Sequence, residues 1–365
     1  MGEREGPAVG VLAGQLCAPV PGGTGRYTRE LVWALAASPA GGSVQAFLPR
    51  GCHPDDLPGI PMHTGPLPRL ALARAWERGW PPRLGGVDVV HAPTLLVPPV
   101  RSPARLVVTI HDVVPWTHPE TLTPRGVAFH RRMGRRAAQT ADLLVTPTEA
   151  VAAEVRALLA PRGRVEAVWL GRTSITASSD AADRRRRLGL PERFLLFVGT
   201  AEPRKGLDVL VEALARPDLL DHQLVVVGPP GWGGIDVAEI SERAGVRDRT
   251  HVTGLVSDDD LAAIYAGARA VAVPSRAEGF GLPVVEAMAL GIPVVVSDVP
   301  ALTEVAGGCA EVVPVGDAPA LARQLARVAA DSPERDQRIS AGVTRSADFS
   351  WDGVADRMWR LYRSL

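Results

Sequence analysis

Ten short apolar runs rich in valine and leucine recur along the 365-residue chain, between longer segments with helical spacing. They read AVGVLAG, VDVVHAP, RLVVTIHD, DLLVTPT and VEAVWLG in the first half, then FLLFVGT, QLVVVGP, THVTGLV, RAVAVPS and PVVVSDV in the second. Runs that are apolar on both faces and separated by helices are typical of buried strands in parallel, doubly wound sheets. The two sets predict two Rossmann-like α/β domains.

Two segments of the chain lack a strand pattern and favour other structures. Residues 171–193, GRTSITASSDAADRRRRLGLPER, are polar and favour a linker, with the arginine run as the solvated start of a helix rather than a binding patch. The closing segment FSWDGVADRMWRLYRSL places Val354, Met358, Leu361 and Leu365 at helical spacing. It predicts a terminal helix packed on a domain surface.

Composition excludes several classes of protein. The formal net charge is zero, whereas a nucleic-acid-binding protein of this size usually shows a basic excess, so we expect no nucleic-acid partner. Cys17, Cys52 and Cys309 are far apart, odd in number and without metal-ligand spacing, which indicates a reducing cytosol. We find no signal peptide and no apolar stretch of the ~18 to 20 residues that span a membrane, and we expect a cytoplasmic protein.

One lysine stands out because the other 39 of the 40 basic Lys and Arg residues are arginines. Lys205 lies in GTAEPRKGLDVLVEAL. A lysine presents a compact ammonium where arginine presents a planar fork, so a crowded site that needs one point charge against a phosphate oxygen favours lysine. Chance survival of one lysine on a solvated loop is the alternative.

The surroundings of Lys205 favour a role in binding. Ligands of doubly wound sheets bind beyond the carboxyl ends of the strands. The run FLLFVG ends at Gly199, and Glu202, Arg204 and Lys205 follow. Two adjacent cations at such a place could neutralise a diphosphate and stabilise the charge that grows on a departing nucleotide.

The segment VPSRAEGFGLPVVEAMALGIPVVVSD carries the most information. A strand ends at Val273, a turn follows at Glu278, and a helix opens near Pro283 with Glu286 in its first turns. Backbone N–H groups of the Gly279 to Leu282 turn would face a phosphate or sugar oxygen. A carboxylate can accept hydrogen bonds from two vicinal sugar hydroxyls. Glu286 could instead be a surface residue favoured by the helix dipole.

Two further candidates lie in the first half. The stretch PVPGGTGRYTREL precedes a helical pattern and would let a ligand approach the backbone closely, although a plain turn fits equally well. Its candidate residues are Gly22, Gly23, Thr24 and Gly25. In VVTIHDVVPW, His111 and Asp112 follow a predicted strand. His111 could bond a sugar hydroxyl or a phosphate there, or it could simply cap a loop.

A basic amphipathic pattern occurs in FHRRMGRRAAQTADLL. Four arginines share one helical face, with apolar Phe129, Met133 and Ala137 nearby; they are Arg131, Arg132, Arg135 and Arg136. Such a helix could rest on anionic lipid. A solvated helix face is the alternative.

Together these motifs resemble glycosyltransferase family 4, retaining enzymes of the GT-B fold. The resemblance rests on the E-x7-E spacing of Glu278 and Glu286 in EGFGLPVVE, and on GTAEPRKG, GGTG, IHD and the terminal FSW. It covers essentially the whole chain in the right order. It implies an acceptor-side domain over residues 1–173 and a nucleotide-sugar-binding domain over 174–345, facing each other across a cleft, with residues 346–365 crossing back onto the first domain.

The resemblance implies roles for the matching residues. Glu278 would contact hydroxyls of the donor sugar, Glu286 the nucleotide ribose, and Arg204 and Lys205 the diphosphate. His111 would touch the donor sugar from the N-terminal domain. Residues 22–25 would line the phosphate and acceptor side. The resemblance also implies contacts with the nucleotide sugar for Gly199, Phe280, Gly281 and Leu282.

One departure from the family pattern concerns the position after Gly199. Many members have arginine there, whereas this chain has Thr200. Arg204 could substitute, so the sequence leaves open which cation contributes most.

These observations predict a retaining glycosyltransferase without cofactor or metal, for which a nucleoside diphosphate sugar is the co-substrate. EPRKG and IHDVVPWTHPE look most like the mannosyltransferases of the family, which favours GDP-mannose over UDP-sugars. The resemblance implies front-face chemistry, while a double displacement with Glu278 as nucleophile is conceivable. The acceptor stays open among saccharides, lipid-linked saccharides and natural products. A nucleotide-sugar epimerase and a non-catalytic nucleotide-sugar-binding protein are the alternatives.

Overall fold

The computed structural model describes residues 6–19, 21–55, 57–173, 175–176, 179–231 and 233–365. The chain divides into two compact units. Unit 1 comprises Met1–Thr117, Thr123–Gly171 and Phe349–Leu365, and unit 2 comprises His118–Leu122 and Arg172–Asp348. Residues 174, 177 and 178 of the predicted linker lie outside the described residues.

Unit 1 is a parallel sheet with helices between its strands. The strands are β1 (Val9–Leu12), β2 (Val44–Leu48), β3 (Met62–Thr64), β4 (Val89–Ala92), β5 (Arg105–Thr109), β6 (Leu143–Thr146) and β7 (Arg164–Ala167). The helices are α1 (Gly22–Ala37), α2 (Arg69–Glu77), α3 (Val114–Thr117), α4 (Pro124–Thr140) and α5 (Glu149–Leu159). Within the described residues the sheet has seven strands in the order β3-β2-β1-β4-β5-β6-β7.

Unit 2 repeats this plan. Its strands are β8 (Phe194–Val198), β9 (Leu224–Val227), β10 (Thr250–Gly254), β11 (Ala268–Val273), β12 (Val294–Ser297) and β13 (Glu311–Val313). Its helices are α6 (Ala181–Arg187), α7 (Leu207–Leu214), α8 (Val237–Arg243), α9 (Asp258–Tyr265), α10 (Leu282–Ala289), α11 (Pro300–Ala306), α12 (Ala318–Ala329) and α13 (Pro333–Ser346). In the part of the chain that is described, six parallel strands follow the order β10-β9-β8-β11-β12-β13. The predicted pair of Rossmann-like domains is confirmed.

Short 3₁₀ turns complete the backbone; they are Gly14–Cys17, Pro119–Thr121, Pro203–Lys205, Pro217–Leu219 and Arg247–Arg249. The sheet orders reverse between β1 and β4 in unit 1 and between β8 and β11 in unit 2. At such a reversal, neighbouring strands send their connections to opposite faces of the sheet, which leaves a crevice at their carboxyl ends. The loops after these four strands are therefore the places where a ligand site is expected.

The last helix, α14 (Trp351–Arg363), belongs to unit 1. Val354, Met358 and Leu361 are buried as predicted, whereas Leu365 lies beyond the end of the helix and is half-buried. The Trp359 indole donates to the Leu35 carbonyl of α1 at 3.2 Å. This helix is therefore part of the core of unit 1.

A buried polar chain also ties α14 to the sheet. The two ring nitrogens of His91 lie 2.7 Å from the Tyr362 hydroxyl and 2.8 Å from the Thr109 hydroxyl, which is 3.2 Å from the Tyr27 hydroxyl. Burial, and to a lesser degree the nearby His111, lowers the pKa of His91 to about 3. His91 is therefore neutral at pH 7 and serves as a structural link.

The prediction that the three cysteines indicate a reducing compartment is wrong for two of them. Cys17 and Cys52 form a disulfide with a Cα–Cα distance of 5.7 Å, while Cys309 is a free thiol. The two partners follow the adjacent strands β1 and β2, in which Leu12 pairs with Phe47. Because β2 was not recognised in the sequence, the proximity of these cysteines could not be seen. The cysteine argument for a reducing compartment thus loses its basis.

None of the described helices combines the length and the apolar character that a membrane span requires.

Candidate active site

The loops that follow β8 and β11 meet through the Glu278 carboxylate. Lys205 Nζ lies 2.5 Å from Glu278 Oε1, and Arg204 Nη1 lies 3.2 Å from Oε2. The Ser275 hydroxyl also donates to Oε1, at 2.9 Å. Arg204 Nε in turn lies 2.7 Å from Glu202 Oε1. Two carboxylates and two cations therefore form one cluster at the reversal point of the unit 2 sheet.

The backbone fixes these loops against each other. Lys205 ends a 3₁₀ turn that is followed by Gly206 with φ 67°, a left-handed conformation that disfavours other residues. A Cβ at Gly206 would lie 2.0 Å from the Pro274 carbonyl oxygen, so only glycine allows this approach. Arg276 N donates to the Arg204 carbonyl at 2.7 Å, and the Arg276 guanidinium forms a bidentate pair with Asp208 at 2.8 and 2.6 Å. The catalytic candidates are thus held by a tightly braced backbone.

The cluster keeps Glu278 ionised. Burial acts to raise the pKa of this carboxyl, but the charges of Lys205 and Arg204 outweigh burial and hold the pKa at about 2. The Glu278 side chain is 8% exposed and that of Lys205 16%. Burial and the Arg204 charge lower the pKa of the Lys205 ammonium, and Glu278 opposes them. A buried carboxylate of this kind is a strong hydrogen-bond acceptor and a weak base.

Glu286 occupies α10, which begins directly after the same turn, but its partners differ from those of Glu278. The Tyr265 hydroxyl donates to Oε2 at 2.8 Å and the Thr173 hydroxyl to Oε1 at 2.9 Å. The residue is 3% exposed, so the surface alternative is wrong. Neither partner was picked out in the sequence, because a tyrosine at a helix end and a threonine in a linker carry no signal of their own.

The other candidates of unit 2 lie around the cluster. Gly199 follows β8 directly, and its N–H donates to the Val227 carbonyl at 2.9 Å. Phe280 is buried, and Gly281 is the N-cap of α10 with φ 93°. Leu282 is the first residue of that helix. The backbone groups of Phe280, Gly281 and Leu282 therefore lie at the start of α10, two to four positions beyond Glu278.

His111 and the glycine-rich stretch belong to unit 1. His111 Nε2 donates to the Pro93 carbonyl at 2.8 Å, which leaves Nδ1 as an acceptor while the ring is neutral. Burial lowers the pKa of His111, against the opposing effects of the Pro93 carbonyl and the Asp112 carboxylate. Asp112 Oδ1 accepts from Val114 N at 3.1 Å and so caps the next turn.

The stretch GGTG forms the first turn of α1 rather than a loop before it. Gly22 and Gly23 are exposed, and a Cβ at either would meet no atom within 4 Å. The Thr24 hydroxyl donates to the Pro21 carbonyl at 3.3 Å, while Gly25 is buried against Pro21. Open space in front of the first two glycines would admit a ligand.

A cavity of about 670 Å³ lies entirely in unit 1. Thr24, His111 and Asp112 line it, together with the ends of β1 and β2 and the inner face of α2. Its volume falls in the range of small-molecule sites, roughly 300 to 1,000 Å³. Of the site residues predicted in unit 1, Thr24 and His111 therefore share one pocket.

The basic helix α4 makes more contacts with the rest of the protein than its sequence pattern indicated. Arg131 Nε donates to the Pro115 carbonyl at 2.7 Å, and Arg132 pairs with Glu77 at 2.8 Å. Met133 and Ala137 are buried in unit 1. The apolar side of the helix therefore packs in the protein, and the packing explains the amphipathic pattern.

Two family models match the chain. The model described as Glycosyltransferase Family 4 matches residues 21–172, and the model described as Glycosyl transferases group 1 matches residues 179–345. The first match lies in unit 1 except for residues 118–122 and 172, and the second lies in unit 2. Together they span both sheets.

Individual proteins show the same likeness. O-antigen chain mannosyltransferase B from Escherichia coli is 29% identical over 290 residues, which cover 76% of this chain and 74% of that protein. D-inositol 3-phosphate glycosyltransferase from Salinispora arenicola is 36% identical over 244 residues, which cover 61% of this chain but only 54% of that protein. The structure of Anabaena HepE in complex with UDP-glucose superposes with a TM-score of 0.73 at 20% identity, over 98% of this chain and 100% of that one.

Proposed function

Since the chain belongs to glycosyltransferase family 4 and is a hexosyltransferase of the GT-B fold, we propose that it transfers mannose from GDP-mannose to an acceptor hydroxyl with retention at the anomeric carbon. The observation that carries this proposal is the Lys205–Glu278–Arg204 cluster. It offers cations for a diphosphate and an ionised carboxylate for sugar hydroxyls in one braced site. The name of the Escherichia coli relative supports mannose as the sugar.

Donor binding would exchange partners within the cluster. The Lys205 ammonium and the Arg204 guanidinium turn from carboxylates to diphosphate oxygens, and Glu278 then accepts hydrogen bonds from the sugar hydroxyls. Because charge grows on the leaving diphosphate, cations fixed beforehand stabilise the transition state more than the bound donor. Glu286, held by Tyr265 and Thr173, would turn one oxygen toward the ribose.

Front-face transfer fits Glu278 better than double displacement does. A carboxylate whose pKa is about 2, and which Lys205, Arg204 and Ser275 all bind, is a weak nucleophile. The leaving phosphate would then help to deprotonate the acceptor hydroxyl. We assign no side chain as general base, and the contact of His111 with the donor sugar stays a prediction.

Metal independence is part of the proposal. Among the described residues no group of three or more His, Cys, Asp and Glu side chains could hold a metal ion. Charge neutralisation is assigned to Arg204 and Lys205, which both contact the Glu278 carboxylate. We expect EDTA to leave turnover intact, and a loss that Mn²⁺ restores would overturn this assignment.

Thermal-shift titration with nucleoside diphosphate sugars tests the donor. A ligand at 100 times its dissociation constant adds about 2.7 kcal/mol to the free energy of unfolding. GDP-mannose should raise the melting temperature at lower concentration than UDP-glucose, the runner-up that the HepE complex favours. If only UDP-sugars stabilise the protein, the donor is a UDP-sugar rather than GDP-mannose. If no nucleotide sugar stabilises it, the proposed function is contradicted.

Peripheral contact with an anionic membrane also remains a proposal. The apolar side of α4 is packed, so the contact would be electrostatic and would rest chiefly on the exposed Arg132 and Arg135. Arg132 already pairs with Glu77 and would have to exchange this partner for lipid phosphate.

A further inference from the structure

Three arginines line the cavity of unit 1, where Arg83 and Arg101 are exposed and Arg69 is half-buried. Arg69, Arg83 and Arg101 make no ion pair and no side-chain hydrogen bond with any described residue. The sole acid on the wall, as far as the described residues go, is Asp112. Neighbouring arginines behave differently, since Arg132 pairs with Glu77 and Arg105 with Asp142. The cavity therefore carries an excess of positive charge.

Two of these arginines flank the same β-bridge, one on each strand. Leu84 and Val100 form a parallel bridge, with Arg101 N donating to the Leu84 carbonyl at 2.7 Å and Leu84 N to the Pro99 carbonyl at 3.0 Å. Arg83 and Arg101 are thus next in the chain to bridged residues and line the same cavity. An anion in the cavity would be attracted by both charges.

Arg69 adds a third cation in an unfavourable place. It is the first residue of the nine-residue helix α2, which has no acidic residue in its first turn. A positive charge at a helix N-terminus opposes the helix dipole, whereas an anion there is stabilised. An anion in the cavity would therefore be favoured by the helix and by Arg69 together.

The remaining wall of the cavity is mostly apolar. The indole N–H of Trp76 donates to the Pro82 carbonyl at 2.8 Å, so the polar edge of that ring is already satisfied. The apolar lining residues include Leu72, Trp76, Leu84, Leu95, Leu96 and Phe129. The cavity matches a molecule with an anionic group and an apolar or weakly polar body.

We propose that the acceptor carries a phosphate ester, whose oxygens Arg69, Arg83 and Arg101 bind while the rest of the acceptor lies against the apolar wall. This inference rests on the proposed transferase function. Phosphate fits better than a carboxylate, because three guanidinium forks offer more donors than two carboxylate oxygens accept. The phosphate could belong to a soluble sugar phosphate or to a lipid-linked acceptor.

Calorimetric titration of the full chain tests the phosphate claim. The probes are octyl phosphate, octanol and glycerol 3-phosphate. We expect octanol to bind at least about tenfold more weakly than octyl phosphate, since hydrogen bonds to a charged group are worth a factor of ten or more. Arg83→Gln and Arg101→Gln should each weaken octyl phosphate binding by about tenfold or more.

Arg74→Gln is the matched control, because Arg74 is exposed on the same helix as Arg69 and does not line the cavity. Equal affinity of octanol and octyl phosphate, or equal losses in Arg74→Gln and Arg83→Gln, would overturn the proposal. Phosphate binding that needs the octyl chain indicates a lipid-linked acceptor. Equal binding of glycerol 3-phosphate indicates a soluble one, and either result supports the phosphate claim.

Failure of the donor assignment would be distinguishable. Nucleotide-sugar stabilisation is measured separately, and the charged residues proposed for the diphosphate and ribose, Arg204, Lys205 and Glu286, lie in unit 2. If no nucleotide sugar stabilises the protein while octyl phosphate binds through Arg83 and Arg101, the transferase proposal fails and the phosphate site stands. If a nucleotide sugar stabilises the protein but octyl phosphate does not bind through Arg83 and Arg101, only the phosphate site is contradicted.

Discussion

The two units carry their positive charges in opposite ways. In unit 2, Arg204 and Lys205 are compensated by Glu202 and Glu278 within one buried cluster. In unit 1, the arginines that line the cavity lack a carboxylate partner among the described residues. A compensated cluster can hold its shape before the ligand arrives and exchange partners when it binds. An uncompensated set depends on the ligand to supply the opposite charge.

This difference has a consequence for mutation. Removing one member of the unit 2 cluster leaves a buried partner without its counter-charge, which costs several kcal/mol in comparable buried pairs. Removing one cavity arginine leaves no buried partner unpaired, so it should weaken ligand binding with little change in stability. Variants of the two sites should therefore separate stability from affinity.

The largest effect is expected for Lys205→Ala. Loss of one fixed donor to developing charge costs roughly 10² to 10³ in kcat in comparable oxyanion sites. Lys205→Arg should recover only part of this loss, because the planar fork cannot take the place of the compact ammonium beside the Glu278 carboxylate without moving it. The measurement is turnover at saturating donor for the three proteins.

Melting temperatures of the Lys205 variants provide the folding control. Arg323→Ala, on the exposed face of α12, is a matched loss of charge far along the chain and should keep full activity. Wild-type activity in Lys205→Arg would show that the single lysine is an accident of codon history.

The two glutamates of unit 2 should affect different kinetic quantities when each is replaced by alanine. Glu286→Ala should weaken nucleotide binding about tenfold to a hundredfold, the value of a hydrogen bond to a charged group, with a smaller effect on kcat. Glu278→Ala should chiefly reduce kcat. Tyr265→Phe, which keeps the buried ring but removes the hydroxyl from Glu286, should change affinity less than Glu286→Ala does. Equal losses of nucleotide affinity in both alanine variants would contradict the assigned roles.

The pH dependence of stability tests the electrostatics of Glu278. Its pKa in the folded protein is about 2 against an ordinary 4.5, so its contribution is complete above pH 4.5 and is lost as pH falls toward 2. The contribution is roughly 3 kcal/mol at neutral pH. We expect the gap in unfolding free energy between wild type and Glu278→Gln to shrink over that window in denaturant titrations. A gap that stays constant from pH 7 to 3 would contradict the ionised, paired carboxylate.

The smallest effect is expected for membrane binding by α4. Some of its arginines already contact protein groups, unlike the arginines of the cavity. A basic residue near an anionic surface contributes about 1 kcal/mol, so Arg135→Gln should reduce co-sedimentation with phosphatidylserine vesicles by several-fold at most. Arg323→Gln is the control for net charge. Absence of any vesicle binding by the wild-type protein would end the membrane proposal.

Most of the architecture could be predicted because the buried strands are continuous apolar runs. The strands that escaped notice are less apolar: β2 alternates buried and half-buried residues and contains Gln45, while β3 and β13 are three-residue edge strands. An edge strand needs no apolar residue on either face, so its sequence resembles a loop. Missing β2 also hid the Cys17–Cys52 disulfide.

The candidate site was predictable in part for a similar reason. Glu278, Arg204 and Lys205 follow two separate strands, and the sequence indicated a binding role for each. Their direct contact depends on β8 and β11 being neighbours and on the close approach at Gly206, which only the three-dimensional structure provides. The cavity arginines gave no signal, because a chain that uses arginine for nearly every cation makes a functional arginine look ordinary.

The partner exchange of Lys205 is the central claim, and the composition of the chain offers a direct way to observe it. Lys205 is the only lysine, so protein grown with ¹³C-lysine gives one Cε resonance, free of overlap. We expect this resonance to shift on titration with GDP-mannose, in step with the rise in melting temperature, and to stay in place on addition of octyl phosphate. A resonance that does not move while the nucleotide sugar saturates and stabilises the protein would contradict the account.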